Sequence, residues 1–342
     1  MAKRITIADV ARAAGVSVAT VDRVMNKRHA VRDVTAKRVY EAATSIGYHA
    51  ANVIGARLQH DLPLYRVGIL LQRPHQTFYQ ALARTLEQQA QLQTQCRLIV
   101  DIEFLDSQVP SQVALRLRAL GQRVQAVAIA TIDHASITAV VEELRLRGVP
   151  VFSLLSDMAY GSRAGYVGVD NRKAGRLAAW LISKMTKKTS GKVALFVGSH
   201  RFLGHEMREL GFRTYFREHA PEFEVIDTLL NLEELTLTHE ATLDLLAYYP
   251  DLVGFYVAGG GMEGAITALR EEKKSGQLIV VCNELTVDSR DALLDETITM
   301  VISTPLVDLA QTLFTQMVSA LEGQVPSSQS LLAFEIYTSE NL

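Results

Sequence analysis

From Arg66 onward the chain alternates between short β-rich runs and longer amphipathic stretches, and this alternation leaves few folds open. The runs VGILL, LIVDIEFL, AVAIAT and PVFSLL are separated by helical patterns over 78–93, 111–121 and 134–147. After Asp170 the rhythm returns as VALFVG, VIDTLL, VGFYVA and LIVVCNE, with helices expected near 172–186, 205–219, 236–248 and 262–273. Strands joined by crossover helices pair in parallel, so the pattern predicts doubly wound sheets, and its two similar halves predict two α/β lobes. In such sheets a ligand sits beyond the carboxyl ends of the strands. The candidate site therefore falls on the loops near 72–79, 131–134, 199–208, 258–263, 283–286 and 303–305.

The first sixty residues follow a different rule. Thr6 and Asp9 form a T-x-x-D helix start, and Ile7, Val10, Ala11 and Ala14 share one face of a two-turn helix. Gly15 stops it and Ser17 can cap a second helix, in which Val21, Val24 and Met25 face one way and Val18, Ala19, Asp22, Arg23 and Asn26 the other. A third helix is expected from about Asp33, with Val39, Ala42, Ala43 and Ile46 on one face and Gly47 as its stop. Two short helices around a tight glycine turn, with a third behind, describe a helix-turn-helix. Charge points the same way. Ten Lys/Arg against four Asp/Glu leave +6 on residues 1–60, so the net −2 of the chain puts −8 on the remainder. A basic head on an acidic body suits nucleic acid. A small protein-binding bundle has the same helix count and stays open at this point.

Residues 5–48 resemble the head of the LacI/GalR family of bacterial transcription regulators. The matching pieces are T-I-x-D-V-A-x-x-A-G-V-S, T-V-x-R-V-x-N, V-x-x-x-T-x-x-R-V and G-Y, in order and without gaps. The resemblance implies that Val18, Ala19 and Arg23 meet base edges of double-stranded DNA, while Ser17, Thr20, Asn26 and His29 lie at the phosphate backbone. Asp22 stands where the family usually has Ser; an acid there needs to orient Arg23 or accept from a cytosine amino group. The family's linker pattern is degenerate over Tyr48–Leu58 and carries Gly55, which weakens a hinge helix. Leu58, six residues after Asn52, keeps the place of the family's minor-groove wedge.

Gly259-Gly260-Gly261-Met262-Glu263-Gly264 satisfies G-x-G-x-x-G, follows a strand and opens a helix, and Glu284 lies twenty residues past Gly264. That geometry suits a dinucleotide fingerprint and hence an NAD-linked oxidoreductase. Against it, the motif comes late in the chain and no substrate-domain catalytic pair follows. A plain glycine-rich strand-to-helix turn is the favoured reading. His205-Glu206 lacks the second histidine of a zincin helix, and neither G-x-S-x-G nor a P-loop occurs. We find no catalytic residues, no metal ligands and no implied cofactor. Cys96 and Cys282 form no CxxC pair, and no window of about 18 apolar residues suggests a membrane span. Asp9 and Arg12 interrupt any signal-peptide core, so a cytoplasmic protein is expected.

The body is in turn similar to the periplasmic sugar-binding-protein fold that this family attaches to its DNA head, through G-I-L-L (68–71), F-Y-Q-A-L (78–82), Arg208 with Gly211-Phe212, GFYVAGGGMEGAITAL (254–269), VVCNELT (280–286) and IST-P (302–305). The likeness is to ribose-type binders. It implies effector contacts from Phe78, Tyr79, Asp133, Arg208 and Glu284, with Gly260 and Ser303 where those binders carry other polar residues. Arg73 joins them, and with His75, His134, His200 and Arg201 it crowds the same strand ends; a phosphorylated or acidic ligand would suit them, and so would surface scatter. Trp180, inside LAAWLISKM, is expected in the core.

The expected organisation is a small all-α helix-turn-helix domain over 1–48, a hinge or linker over 49–64, and a two-lobed α/β core of periplasmic binding protein type over 65–342. The expected function is a DNA-binding transcription repressor, a homodimer on an inverted-repeat operator, gated by a carbohydrate-like small-molecule effector. The alternatives are the oxidoreductase above and a cytosolic sugar-sensing protein that does not bind DNA.

Overall fold

The computed structural model describes residues 5–26, 31, 33–51, 54 and 62–342. These divide into two compact units: a helical head within 1–65, which also takes in 91–99, and an α/β body made of 66–90 and 100–342.

In the head, α1 spans Ile7–Ala14, α2 Val18–Asn26 and α3 Asp33–Ser45. The Thr6 N–H donates to Asp9 Oδ2 at 3.0 Å, satisfying a donor the helix leaves bare. Gly15 ends α1 at φ +61°, a left-handed conformation that costs glycine nothing, and the Val16 N–H then reaches back to the Ala11 carbonyl at 3.0 Å. Ser17 Oγ accepts from the Thr20 N–H at 3.1 Å and opens α2. The core is the apolar face expected from the spacing: Val10, Ala14, Val21, Val24, Val39, Ala42 and Ala43 are buried together. Each fully buried valine contributes roughly 1.5–3 kcal/mol. Tyr48, Ala51 and Ile54 join that cluster, so the head's core continues past residue 48.

The body's first lobe contains β1 (Leu64–Gln72), α4 (Thr77–Gln91), β2 (Arg97–Leu105), α5 (Pro110–Gly121), β3 (Ala126–Ile129), α6 (Ala135–Leu146), β4 (Val151–Leu154) and β5 (Gly165–Val169). The second contains α7 (Asn171–Met185), β6 (Gly191–Val197), α8 (Leu203–His219), β7 (Phe223–Val225), β8 (Leu229–Leu230), α9 (Leu235–Tyr248), β9 (Leu252–Val257), α10 (Met262–Glu271), β10 (Ile279–Asn283), α11 (Val287–Leu294) and β11 (Met300–Ser303). The chain then gives α12 (Leu306–Leu321) and β12 (Gln329–Leu332) to the first lobe, and β13 (Glu335–Tyr337) to the second. The sheet orders are β12-β5-β4-β3-β1-β2 and β13-β11-β10-β9-β6-β7, with β8 also on β6. The β1–β3, β3–β4, β4–β5 and β5–β12 pairs are parallel, as are the pairs of β6, β9, β10 and β11; β13 runs antiparallel to β11. Central strands β3, β4, β9 and β11 are buried throughout because helices cover both faces. The lobes are joined by three crossings, after β5, after β11 and after β12.

Residues 329–337 give β12 to one sheet and β13 to the other. Two expectations need correction. VIDTLL is not one strand: β7 ends at Val225 and pairing resumes only at Leu229. Trp180 is 46% exposed, because α7 buries Ala174, Ala178, Leu181 and Ile182 and residue 180 falls on the far side of the helix.

Candidate nucleic-acid interface and ligand cleft

Helix α2 presents one polar and one apolar face. Val21 and Val24 are buried while Ser17, Val18, Ala19, Arg23 and Asn26 are exposed and Thr20 is half-buried. Val18 is 50% exposed, an apolar group on an otherwise polar surface, which suits contact with a thymine methyl. Asn26 Nδ2 donates to Asp22 Oδ1 at 2.7 Å. Asp22 is thus held by the amide one turn on, and among the described residues no bond ties it to Arg23. His29 and Leu58 lie outside the described residues.

Between the two lobes of the body is a cavity of about 90 Å³. At about 10–15 Å³ per water-sized group it has room for roughly six to nine of them, the scale of a monosaccharide. The N-terminus of α4 supplies Gln76, Phe78 and Tyr79, whose rings meet edge-on at 5.2 Å. Thr131 follows β3, and Asn171 opens α7. From the second lobe come His205 and Arg208 on α8, Glu233 after β8, Gly259–Gly261 before α10, and Asn283 and Glu284 at the end of β10.

Arg208 and Glu284 are firmly held. Arg208, 8% exposed, donates from Nε to Asn171 Oδ1 at 2.7 Å and from Nη1 to the Ala258 carbonyl at 2.6 Å. Glu284 has φ +69°, left-handed for a residue with a Cβ, and is anchored there by Thr304, whose N–H and hydroxyl both donate to its carboxylate at 2.8 Å. Ser303 Oγ lies 3.4 Å from the same carboxylate. Burial raises the Glu284 pKa, against the opposing pull of Arg208 and the Thr304 bonds. Tyr79 is pushed up by burial and then by the charges of Glu233 and Glu284. Burial pushes His205 down to about 3, assisted by Arg208, so its ring is neutral.

Glu233 was not foreseen from the sequence. Its side chain is 7% exposed, and burial raises its pKa. Glycines make its berth. A Cβ on Gly198 would strike the Glu233 side chain, one on Gly259 would meet His205 at 2.9 Å and Glu233 Oε1 at 3.3 Å, and one on Gly260 would meet the Glu233 Cβ at 3.1 Å. The Gly260 N–H points at Glu233 Oε1 from 3.4 Å. Where a dinucleotide fingerprint would cradle a phosphate at the start of its helix, this turn holds the protein's own carboxylate. Gly264 serves packing, since a Cβ there would run into the Leu235 carbonyl and the His239 N–H of α9. The 259–264 motif is accounted for without a cofactor.

Of the residues expected to hold an effector, Phe78, Tyr79, Arg208, Gly260 and Glu284 line the cavity together. Three do not. Arg73 stands at the cleft's edge, where Nη1 bonds Glu234 Oε1 at 2.7 Å, Nη2 bonds the Leu232 carbonyl at 2.5 Å, and Nε lies 3.5 Å from Glu233 Oε2. It ties the first lobe to the second. Asp133 is exposed and accepts from the Ala159 N–H at 3.1 Å, because β3 ends at Ile129 and it is Thr131 that reaches the cavity. Ser303 steadies Glu284 from behind, also accepting from the Leu285 N–H at 3.3 Å. The crowd of basic groups disperses as well: His134 caps α6, His200 pairs with Glu209 at 3.0 Å, and neither they nor His75 nor Arg201 lines the cavity.

Residues 6–51 match the model of the bacterial regulatory proteins of the lacI family, and residues 67–324 match that of the periplasmic binding protein domain. Catabolite control protein A of Priestia megaterium is 32% identical over 151 residues, 43% of this chain and 42% of that protein. The chain therefore aligns with less than half the length of this relative. The HTH-type transcriptional regulator GalS of Salmonella typhimurium is 24% identical over 274 residues, 78% of this chain and 76% of that one. In fold the body is similar to an ABC transporter solute-binding protein from Agrobacterium vitis bound with α-D-tagatopyranose (TM-score 0.72, 19% identity, 81% of this chain and 95% of that one). The chain belongs to the periplasmic binding protein domain family through residues 67–324, and its head, residues 6–51, matches the lacI family of bacterial regulatory proteins.

Proposed function

We propose that this regulator binds double-stranded DNA through α2 as a homodimer on an inverted repeat, represses transcription, and is controlled by a carbohydrate-like small molecule held between its lobes. One observation carries the effector assignment. A single cavity brings an aromatic pair on the first lobe opposite a buried Arg and two carboxylates on the second. Aromatic faces stack on sugar C–H groups, and charged groups bond hydroxyls strongly. A ligand that touches both lobes favours one inter-lobe geometry, and it shifts the equilibrium only by its difference in affinity for the two states. No helix among the described residues is long and apolar enough to cross a membrane. We place the protein's work in the cytosol because that is where its DNA would be.

The DNA reading is supported by the exposed Ser17, Val18, Ala19, Arg23 and Asn26 over buried Val21 and Val24, and a two-fold dimer doubles the few base pairs that one such helix reads. We propose no enzymatic activity, since the turn that suggested a nucleotide is filled by Glu233. The test pairs two measurements on the full chain. Retention on duplex DNA should fall steeply with salt. A panel of pentoses, hexoses and polyols should contain a member that raises the melting temperature, because a ligand at 100 times its Kd stabilises by about 2.7 kcal/mol. Salt-independent retention, or no shift across the panel, would refute the corresponding half.

A further inference from the structure

Helix α2 carries a negative charge in the half that a helix-turn-helix turns toward base edges. Asp22, half-buried, follows Val18 and Ala19 by one helical turn and adjoins the exposed Arg23. The charge of Asp9 on α1 is spent: its carboxylate takes the Thr6 N–H, the Thr6 hydroxyl and Arg12 Nη1, the last at 3.1 Å. Asp22 is placed differently. Its Oδ1 accepts from Asn26 Nδ2 at 2.7 Å, and among the described residues no cation pairs with it and no donor fills Oδ2. An acid at this place has two roles open to it, to orient Arg23 or to accept from a base. The first finds no bond among the described residues, since the side chain is engaged one turn on, by Asn26.

The second role selects a base by simple chemistry. An ionised carboxylate only accepts hydrogen bonds. In the major groove it is repelled by the phosphates and by each acceptor on a base edge. Guanine shows O6 and N7, thymine shows O4 beside its methyl group, and adenine shows N7 beside its amino group. Cytosine alone shows an amino donor with no acceptor beside it on its own edge. The Asn26 amide prepares the contact, because it holds one carboxylate oxygen in place and leaves the other open. A side chain already fixed gives up less freedom when it meets its partner.

Resting on the DNA assignment above, we propose that Asp22 is a specificity-determining residue: its open Oδ2 accepts from the N4 amino group of a cytosine in each half-site of the operator. Val18 and Ala19, one turn earlier, offer only methyl groups and suit thymine, while Arg23 is left for a guanine. The carboxylate acts by exclusion as much as by attraction. On a site without the cytosine it sets a negative charge against phosphates and base acceptors and gains no bond in return. It therefore weakens binding to random duplex while sparing the operator, which widens the ratio of specific to non-specific affinity.

The experiment lets full-length protein select its sites from a duplex library of random sequence. Anisotropy titrations then compare wild type, Asp22→Ala and Asp22→Asn on the selected site, on that site with one pair changed, and on random duplex. Wild type should fix a cytosine at one position of each half-site, and replacing that C·G pair by T·A should weaken binding about tenfold or more. Asp22→Ala should select sites in which that position alone is relaxed, and should tolerate the replacement within about threefold. Relaxation confined to one position separates a base contact from a general disturbance of the head. Asp22→Asn, which keeps the shape and removes the charge, should bind random duplex more tightly than wild type. A cytosine preference that survives in Asp22→Ala, an equal loss on selected and random duplex in that variant, or no gain on random duplex in Asp22→Asn overturns the proposal and leaves the DNA assignment standing. Wild-type protein that binds no duplex in a salt-dependent way overturns both.

Discussion

Removing Arg73 is the sharpest test of how the two lobes communicate. Its guanidinium makes the 2.7 Å contact to Glu234, the 2.5 Å bond to the Leu232 carbonyl and the longer approach to Glu233. The contributions are unequal. Glu234 is 54% exposed, so that pair is worth about 0.2–1 kcal/mol. The bond from a charged donor to a carbonyl, at a side chain that is 23% exposed, contributes about 1.5–3 kcal/mol. Arg73→Ala therefore costs the closed arrangement about 2–4 kcal/mol, before the added penalty of leaving Glu233 with less compensation. At 1.4 kcal/mol per decade this is a shift of roughly thirtyfold to seven-hundredfold toward the open form. If only the closed form holds ligand and it is not overwhelmingly populated, apparent affinity falls by the same factor. The measurement is calorimetric titration of wild type and Arg73→Ala with the tightest ligand of the panel, together with small-angle scattering of both without ligand. Arg73→Ala should scatter as a more open particle and bind more weakly, and Glu234→Gln should show a milder form of both. Equal affinity and superimposable scattering curves would show that Arg73 is an ordinary surface ion pair and that the reasoning about closure is wrong.

Other perturbations probe separate parts. Arg23→Ala should weaken binding to a specific site by about 1–3 kcal/mol and to random duplex by less; equal losses would reduce Arg23 to a phosphate contact. Gly264→Ala forces α9 and α10 apart, an overpacking cost of about 1–3 kcal/mol, and should lower the melting temperature without altering ligand stoichiometry. His205 has a folded pKa depressed to about 3, so the unfolded chain takes up its proton first: the stability it permits is present above pH ~6.5 and is lost as the pH falls toward 3, by at most about 1.4 kcal/mol per pH unit. In denaturant melts between pH 6.5 and 5, His205→Gln should flatten that decline, and an unchanged slope would place the linkage elsewhere.

Much of the fold was legible because it is written in local periodicity. The helix pattern expected over 172–186 is α7 at Asn171–Met185, and that over 236–248 is α9 at Leu235–Tyr248. These calculations of face and period succeed where a helix packs with one side and shows the other to solvent. They failed at Trp180, where an aromatic residue was taken for core by its type although its angular position is on the outer face. They failed again at VIDTLL, an apolar run whose middle departs from the sheet and turns toward β8. Three-dimensional closure, not local pattern, decides both. The third crossing, where β12 leaves one sheet and β13 enters the other within a dozen residues, has no sequence signal at all.

The site was legible by halves, and the division has a physical cause. Residues at strand ends and helix starts are placed by the sheet, so Phe78, Tyr79, Arg208 and Glu284 could be located from topology and likeness. Glu233 lies in a turn after a two-residue strand and carries no motif of its own. Its signature was nonetheless in the sequence, displaced by some thirty positions: Gly259 and Gly260 lack side chains because Glu233 and His205 occupy the space a Cβ would take. A glycine run reports that something approaches the backbone closely, and not what approaches. Read as a phosphate cradle the run would suit an enzyme; with the chain closed around it, the approaching group is an internal carboxylate, that of Glu233.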